Sequence, residues 1–159
     1  MIRFNDPDAI RAISEATTVP FVPTHHQCIA RFDDAGNLLG GVLFTDYNVA
    51  SIQIHVASFR HRWIDRELLW ITMDYPFNKL GVKKLIGLVR ESNKAAIDFD
   101  LHLGFTIEAR IPDVFPDCGM VILGMYKSDA RRYLEMRLPR LTFAGNTTRQ
   151  RDGEEFTDT

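Results

Sequence analysis

The chain has 159 residues, of which 45% are apolar and 25% charged, with a formal net charge of −2 at pH 7. That is enough apolar material to bury one sizeable core, and no second folded unit is expected. Both signs of charge are mixed along the sequence, so no global field argues for nucleic acid or an acidic membrane as a partner.

No apolar stretch approaches membrane-spanning length, and the first residues show no basic segment followed by an apolar run. A soluble, cytoplasmic protein is therefore expected. Cys28 and Cys118 lie far apart and outside any C-x-x-C pair, which predicts free thiols and no redox motif. His25 and His26 lack a carboxylate or cysteine at metal spacing, so no metal site is expected.

In chain order, Ile2 to Phe4 reads as a short strand. Asp6 and Pro7 form an N-cap and N1 pair, opening a helix through about Ala16 with Ile10 and Ile13 on one face. Pro20 and Pro23 exclude a second long helix directly after it. Cys28–Phe32 and Leu38–Thr45 read as a hairpin whose turn, Asp33 to Asn37, places Gly36 and Asn37 where positive φ is needed. Ala50–Ala57 is a third antiparallel strand, with Ile52, Ile54 and Val56 on one face and Ser51, Gln53 and His55 on a polar one.

Asp65 is a strong N-cap for a central helix running to about Leu80, with Gly81 as its C-cap. Its apolar positions cover more than half its circumference, which predicts a core helix, and Pro76 predicts a kink or an early end. Lys84–Val89 is an apolar run too short for a helix, hence a buried strand. Ser92 is placed to cap the next helix, whose stripe is Ala95, Ala96, Phe99 and Leu103 and whose C-terminal left-handed residue is Gly104. Strands to about Ile111 and from Gly119 to Tyr126 make a last hairpin, and Ser128 caps a closing helix through Leu138. The folded domain thus spans 1–138, and the polar segment 139–159 is expected to be disordered. Strands followed by helix, strand, helix and further strands define an α+β fold around a mixed, mostly antiparallel sheet flanked by helices.

Asn93, Ala96, Ile97, Phe99, Leu103, Gly104 and Phe105 resemble, in register, a signature of the GCN5-related N-acetyltransferases, with Asp100 in the slot where that signature has tyrosine. The helix from Asp65 and the strand after it are similar to the family's central helix and strand. Trp63-Ile64-Asp65-Arg66-Glu67 resembles a subgroup found in bacteria and their viruses. The resemblance covers about residues 1–130. It implies a single-domain acyl-CoA N-acyltransferase fold and transfer of acetyl from acetyl-CoA to an amine of a small molecule or protein, by direct attack. A monomer or a homodimer would serve, the dimer through an exposed sheet edge or helix.

Such a reaction sets three tasks. Phosphate binding in the family resembles a glycine-rich turn whose N–H groups approach the pyrophosphate. Here the same place holds Arg60, His61, Arg62, Trp63, Ile64, Asp65 and Arg66, so cationic side chains replace the glycines as donors. The alternative is a solvated basic turn in front of a capped helix. Polarising the thioester carbonyl falls, by resemblance, to a backbone N–H near Ile54, His55 and Val56.

Proton handling is the third task. His55 is the candidate base, because its ordinary pKa lies near neutrality, although a strand histidine is also a common structural residue. Asp100 can act as the acid only if burial raises its pKa well above the ordinary range. Tyr126 and Tyr47 are the substitutes. By the resemblance Asn93 is the candidate contact for the pantetheine arm or the pyrophosphate region, and it is also a routine helix cap; Phe99 of the same helix is a further candidate cofactor contact. Trp63 and Trp70 read as helix anchors.

Two competing classes remain open on the sequence. One is a protein of this fold that has lost catalysis and docks on another protein, such as a viral effector on a host protein; the other is a CoA-binding sensor without turnover. The missing glycines and Asp100 favour the first of these, and the Asn93–Phe105 segment favours the enzyme.

Overall fold

The computed structural model describes residues 1–18 and 26–136. In chain order the elements are β1 (Ile2–Phe4), α1 (Pro7–Thr17), β2 (Gln27–Phe32), β3 (Leu38–Thr45), β4 (Ser51–Ser58) and α2 (Arg66–Asp74). A π-turn (Tyr75–Lys79) continues α2, and β5 (Lys84–Arg90), α3 (Lys94–Leu103), β6 (Thr106–Ile111), β7 (Met120–Tyr126) and α4 (Arg131–Leu134) follow. Leu138 and the segment 139–159 lie outside the described residues, as do His25, Pro20 and Pro23.

The strands form one seven-stranded sheet in the order β1-β2-β3-β4-β5-β7-β6. Every pairing is antiparallel except β4 with β5, which is parallel and short: Ser51 faces Lys84, Ile52 faces Leu85 and Gln53 faces Ile86. Beyond Gln53 and Ile86 the two strands carry on to Ser58 and Arg90 without pairing. The sheet therefore splays open at its middle, and backbone groups on that side of β4 lack a ladder partner.

Local chemistry accounts for most element ends. Asp6 caps α1 by accepting from the backbone N–H groups of Asp8 and Ala9, and Asp65 caps α2 by accepting from Leu68. Asn93, not Ser92, caps α3, accepting from Ala96 at 3.1 Å; the Ser92 hydroxyl instead lies 3.4 Å from Cys118 Sγ. Gly104 ends α3 at φ 109°, a conformation that costs a residue with a Cβ about 1 kcal/mol or more.

Proline determines the end of α2. Pro76 has no N–H to give, the α-helical ladder stops at Asp74, and the register slips to Leu80 N–H on Tyr75 C=O and Val82 N–H on Pro76 C=O. Gly81 follows at φ 72°. In the first hairpin only Gly36 takes positive φ; Asn37 instead gives its backbone and side-chain N–H groups to the Asp33 carboxylate. The last helix is shorter than expected and starts after Ala130 without a side-chain cap, so Ser128 does not play that part.

Two cores hold the sheet. On one face Ile29, Val42, Phe44, Ile52 and Ile54 pack with Leu68, Met73 and Phe77 of the α2 segment and with Ile97 and Leu103 of α3. On the other, α1 lays Ala9, Ile10 and Ile13 over Cys28, Ala30, Leu43 and Ala57. The second face of β4 is consequently covered rather than solvated, and His55 on it is 7% exposed. In α3, Ile97 and Leu103 point to the core, while Ala95, Ala96 and Phe99 line the cavity described next.

Candidate active site

The splay between β4 and β5 opens into a cavity of about 690 Å³. Strand alternation assigns its walls to two sides of the sheet. Ile54 and Val56 share the α3 side with Trp63, Asn93, Ala95, Ala96, Phe99 and Asp100. Gln53 and His55 share the α1 side with Thr17, Thr18 and Asp46. The cavity thus runs through the sheet from one face to the other.

Trp63 anchors the α3 side. Its indole covers Gly40, where an added Cβ would lie 2.6 Å from the ring, so only glycine permits that approach. The ring also sits 6.2 Å from that of Phe99, a tilted aromatic pair. Ala95 and Ala96 add small side chains, and the result is a narrow apolar wall. Asn93 lines it while its Oδ1 caps α3, which leaves its amide N–H groups as donors.

Two buried titratable groups face this space. Asp100 is 8% exposed, and desolvation pushes its carboxyl up to about 7. It sits opposite Gly87 of β5, where an added Cβ would come 3.8 Å from Asp100 Oδ2. His55 shifts the other way: burial pulls its pKa below the ordinary 6.5, and the Asp46 carboxylate partly opposes that. Its Nε2 lies 2.9 Å from Thr45 Oγ1.

The turn before α2 is built differently from a glycine-rich one. Arg60, His61, Arg62 and Arg66 are all exposed, and none is ion-paired among the described residues. None of the four lines the cavity; Arg60, His61 and Arg62 lie in sequence between two residues that do, Ser58 and Trp63, and Arg66 follows three residues after Trp63. Asp65 already occupies the Leu68 N–H and is paired with Arg31, which also reaches Glu67 at 3.3 Å.

Of the residues singled out in the sequence, Ile54, His55, Val56, Asn93, Phe99 and Asp100 meet at the cavity. Tyr126 does not: it pairs with Lys84 at the start of β5, the opposite end from the splay, and is 50% exposed. Tyr47 is exposed in the β3–β4 loop and is not a lining residue either. Thr45 and Asp46, Leu88 and Arg90 of β5, and Phe115 and Met120 of the last hairpin were missed, since only the tertiary fold brings them here. Arg90 is held by Asp117 and lies 4.2 Å over the Phe115 ring, which fixes that side of the mouth. Among the described residues no group of three His, Cys, Asp or Glu could hold a metal ion, and no helix is long and apolar enough to cross a membrane.

No protein-family model matches the chain, and no curated protein matches it in sequence. Solved structures do. Mutant forms of the spermidine/spermine N-acetyltransferase SpeG from Vibrio cholerae align with a TM-score of 0.68 at 16% identity, over 85% of this chain and 99% of that one. The same organism's spermidine N-acetyltransferase in complex with CoA and spermine aligns at a TM-score of 0.65 and 16% identity, over 82% and 97%. The chain has the fold of the GCN5-related N-acetyltransferases, a single domain around a mostly antiparallel open sheet.

Proposed function

We propose that the chain is an acetyl-CoA-dependent N-acetyltransferase that passes the acetyl group to an amine by direct attack, with no covalent enzyme intermediate. The observation that carries this reading is the cavity through the β4–β5 splay, with a buried histidine on one side and a buried carboxyl on the other. The similarity in fold to N-acetyltransferases, one of them bound to CoA and spermine, supports it.

Acetyl-CoA would supply the activated acyl group, and the apolar wall of Ile54, Val56, Trp63, Ala96 and Phe99 suits a thin, extended pantetheine arm. In the turn that leads to Trp63 and α2, Arg60, Arg62 and Arg66 offer cations, and His61 a further N–H donor, to its phosphates. An unpaired N–H of β4 beyond Gln53 is the donor for the carbonyl oxygen.

His55, kept neutral at pH 7 by burial, accepts the amine proton as the N–C bond forms; Asp100, with a pKa of about 7, supplies a proton to the sulfur as the C–S bond breaks. Their shifts run in opposite directions, as a base and an acid working at one pH require. Because neutral His55 and protonated Asp100 are both needed, activity falls below the His55 pKa and again above about pH 7.

Thiol release is the direct test, with acetyl-CoA and a panel of amines that includes spermidine, spermine and a lysine peptide. Turnover that drops about 100-fold or more in His55→Ala and loses its alkaline limb in Asp100→Asn supports the reading. The carboxylate cap of α2 favours a second one, a CoA sensor or a protein-docking module without turnover. Saturable CoA binding with no acetyl transfer in any variant would support the sensor, and absence of binding at millimolar CoA the docking module.

A further inference from the structure

His55 does not stand alone in its wall. Thr45 Oγ1 donates to Asp46 Oδ2 at 2.8 Å and lies 2.9 Å from His55 Nε2. A hydroxyl has one proton, and here Asp46 takes it, so Thr45 can only accept from the imidazole. Donor counting therefore makes Nε2 the protonated ring nitrogen and leaves Nδ1 as the one able to accept a proton. Asp46 itself is exposed, lines the cavity, and holds the left-handed φ of 51° in the β3–β4 loop. Val49, in the same loop, is at φ 63°, unusual for a β-branched residue, and strain of this kind persists only where surrounding contacts fix it.

We infer that Thr45 and Asp46 are positioning residues for His55: they fix its tautomer so that Nδ1 is the proton acceptor, and the Asp46 charge, relayed through the Thr45 hydroxyl, supports the imidazolium that forms. This rests on the reading of His55 as the base. In the step itself the amine proton moves to Nδ1 while Nε2 keeps its own, and after product leaves Nδ1 returns its proton to water. Other charges around the ring are placed otherwise. Asp8, Arg11 and Glu15 of α1 are exposed, Lys94 of α3 is exposed, Asp100 lies on the α3 side, and Arg90 of β5 is tied to Asp117.

The test combines kinetics with a readout that needs no turnover. In the full chain with ¹⁵N-labelled histidine, the His55 ring is assigned by its loss in His55→Gln, and its tautomer is read from the nitrogen shifts. The wild type is expected to show Nε2–H, and Thr45→Val a mixture of tautomers. Kinetically, Thr45→Val lowers kcat about tenfold with KM for the amine little changed, and Thr45→Ser restores it. Asp46→Asn removes a charge that favours the imidazolium, so the acidic limb of the pH profile moves to lower pH.

An Nδ1–H tautomer in the wild type, or a Thr45→Val ring identical to wild type, overturns the inference. If no amine is turned over, the function reading fails on its own, and the ring nitrogens still decide whether Thr45 and Asp46 set the tautomer.

Discussion

The N-terminus of α3 lines the cavity, while α2 begins three residues after the lining Trp63, and the two helix starts carry opposite chemistry. α3 is capped by a neutral asparagine and lines the cavity with Ala95, Ala96 and Phe99, Asp100 being its one carboxyl among the lining residues. α2 is capped by an aspartate, paired with Arg31, and is preceded by a run of exposed cations. A helix N-terminus attracts anions through its free N–H groups and dipole. At α2 the Asp65 carboxylate accepts from Leu68 and puts negative charge at the helix start, so a phosphate there would lean on the arginine side chains.

The largest effect expected from this contrast is at Asp100. Its carboxyl has a folded-state pKa of about 7 against an ordinary 3.8, so the folded chain holds a proton that the unfolded chain releases. The contribution of Asp100 to stability is therefore full below about pH 4, declines as pH rises to about 7, and is then level. Asp100→Asn removes the penalty and raises stability above pH 7 by at most about 4 kcal/mol, with no gain at pH 4. Chemical denaturation at pH 4 and pH 8 measures it.

Next comes the charged rim. Replacing Arg60, Arg62 and Arg66 together by alanine should weaken CoA binding by about 100-fold, roughly 1 kcal/mol for each exposed charge pair lost. Tm should scarcely move, because all three side chains are exposed and unpaired among the described residues.

The caps give smaller effects of different kinds. Asn93→Ala removes the bond from Ala96 N–H and should cost about 1 kcal/mol in denaturant unfolding. Asp65→Asn keeps an acceptor for Leu68 while deleting the negative charge; it should tighten CoA binding by a few-fold, from a dipole and charge contribution of about 0.3–1 kcal/mol. Calorimetry on these two variants separates a cap that also offers its amide donors to the cavity, whose loss weakens CoA binding, from one whose charge repels the ligand.

The elements bounded by local chemistry were legible in the sequence. Asp6-Pro7, Asp65, Pro76 and Gly104 act on their own few residues, and each marks an element end in the fold. Ser92 failed because its neighbour Asn93 took the cap, one residue of register away, and Ser128 because the helix starts after Ala130, two residues on, with no side-chain cap. His55 and Asp100 could be singled out by residue type and by the family signature. Their environments could not, since α1 covers His55 from some forty residues away and β5 faces Asp100. Tyr126 was misplaced for the same reason: the β5–β7 register puts it beside Lys84, away from the splay.

Calorimetric titration of the full chain with acetyl-CoA, wild type beside the Arg60, Arg62, Arg66 alanine variant, tests most directly whether cationic side chains replace a glycine-rich turn. Saturable binding by the wild type that is about 100-fold weaker in the variant, and weaker for the wild type as salt is raised, is the predicted result. Equal affinity in the two proteins would contradict it and place the phosphates elsewhere; no binding by either would remove acetyl-CoA from the account altogether.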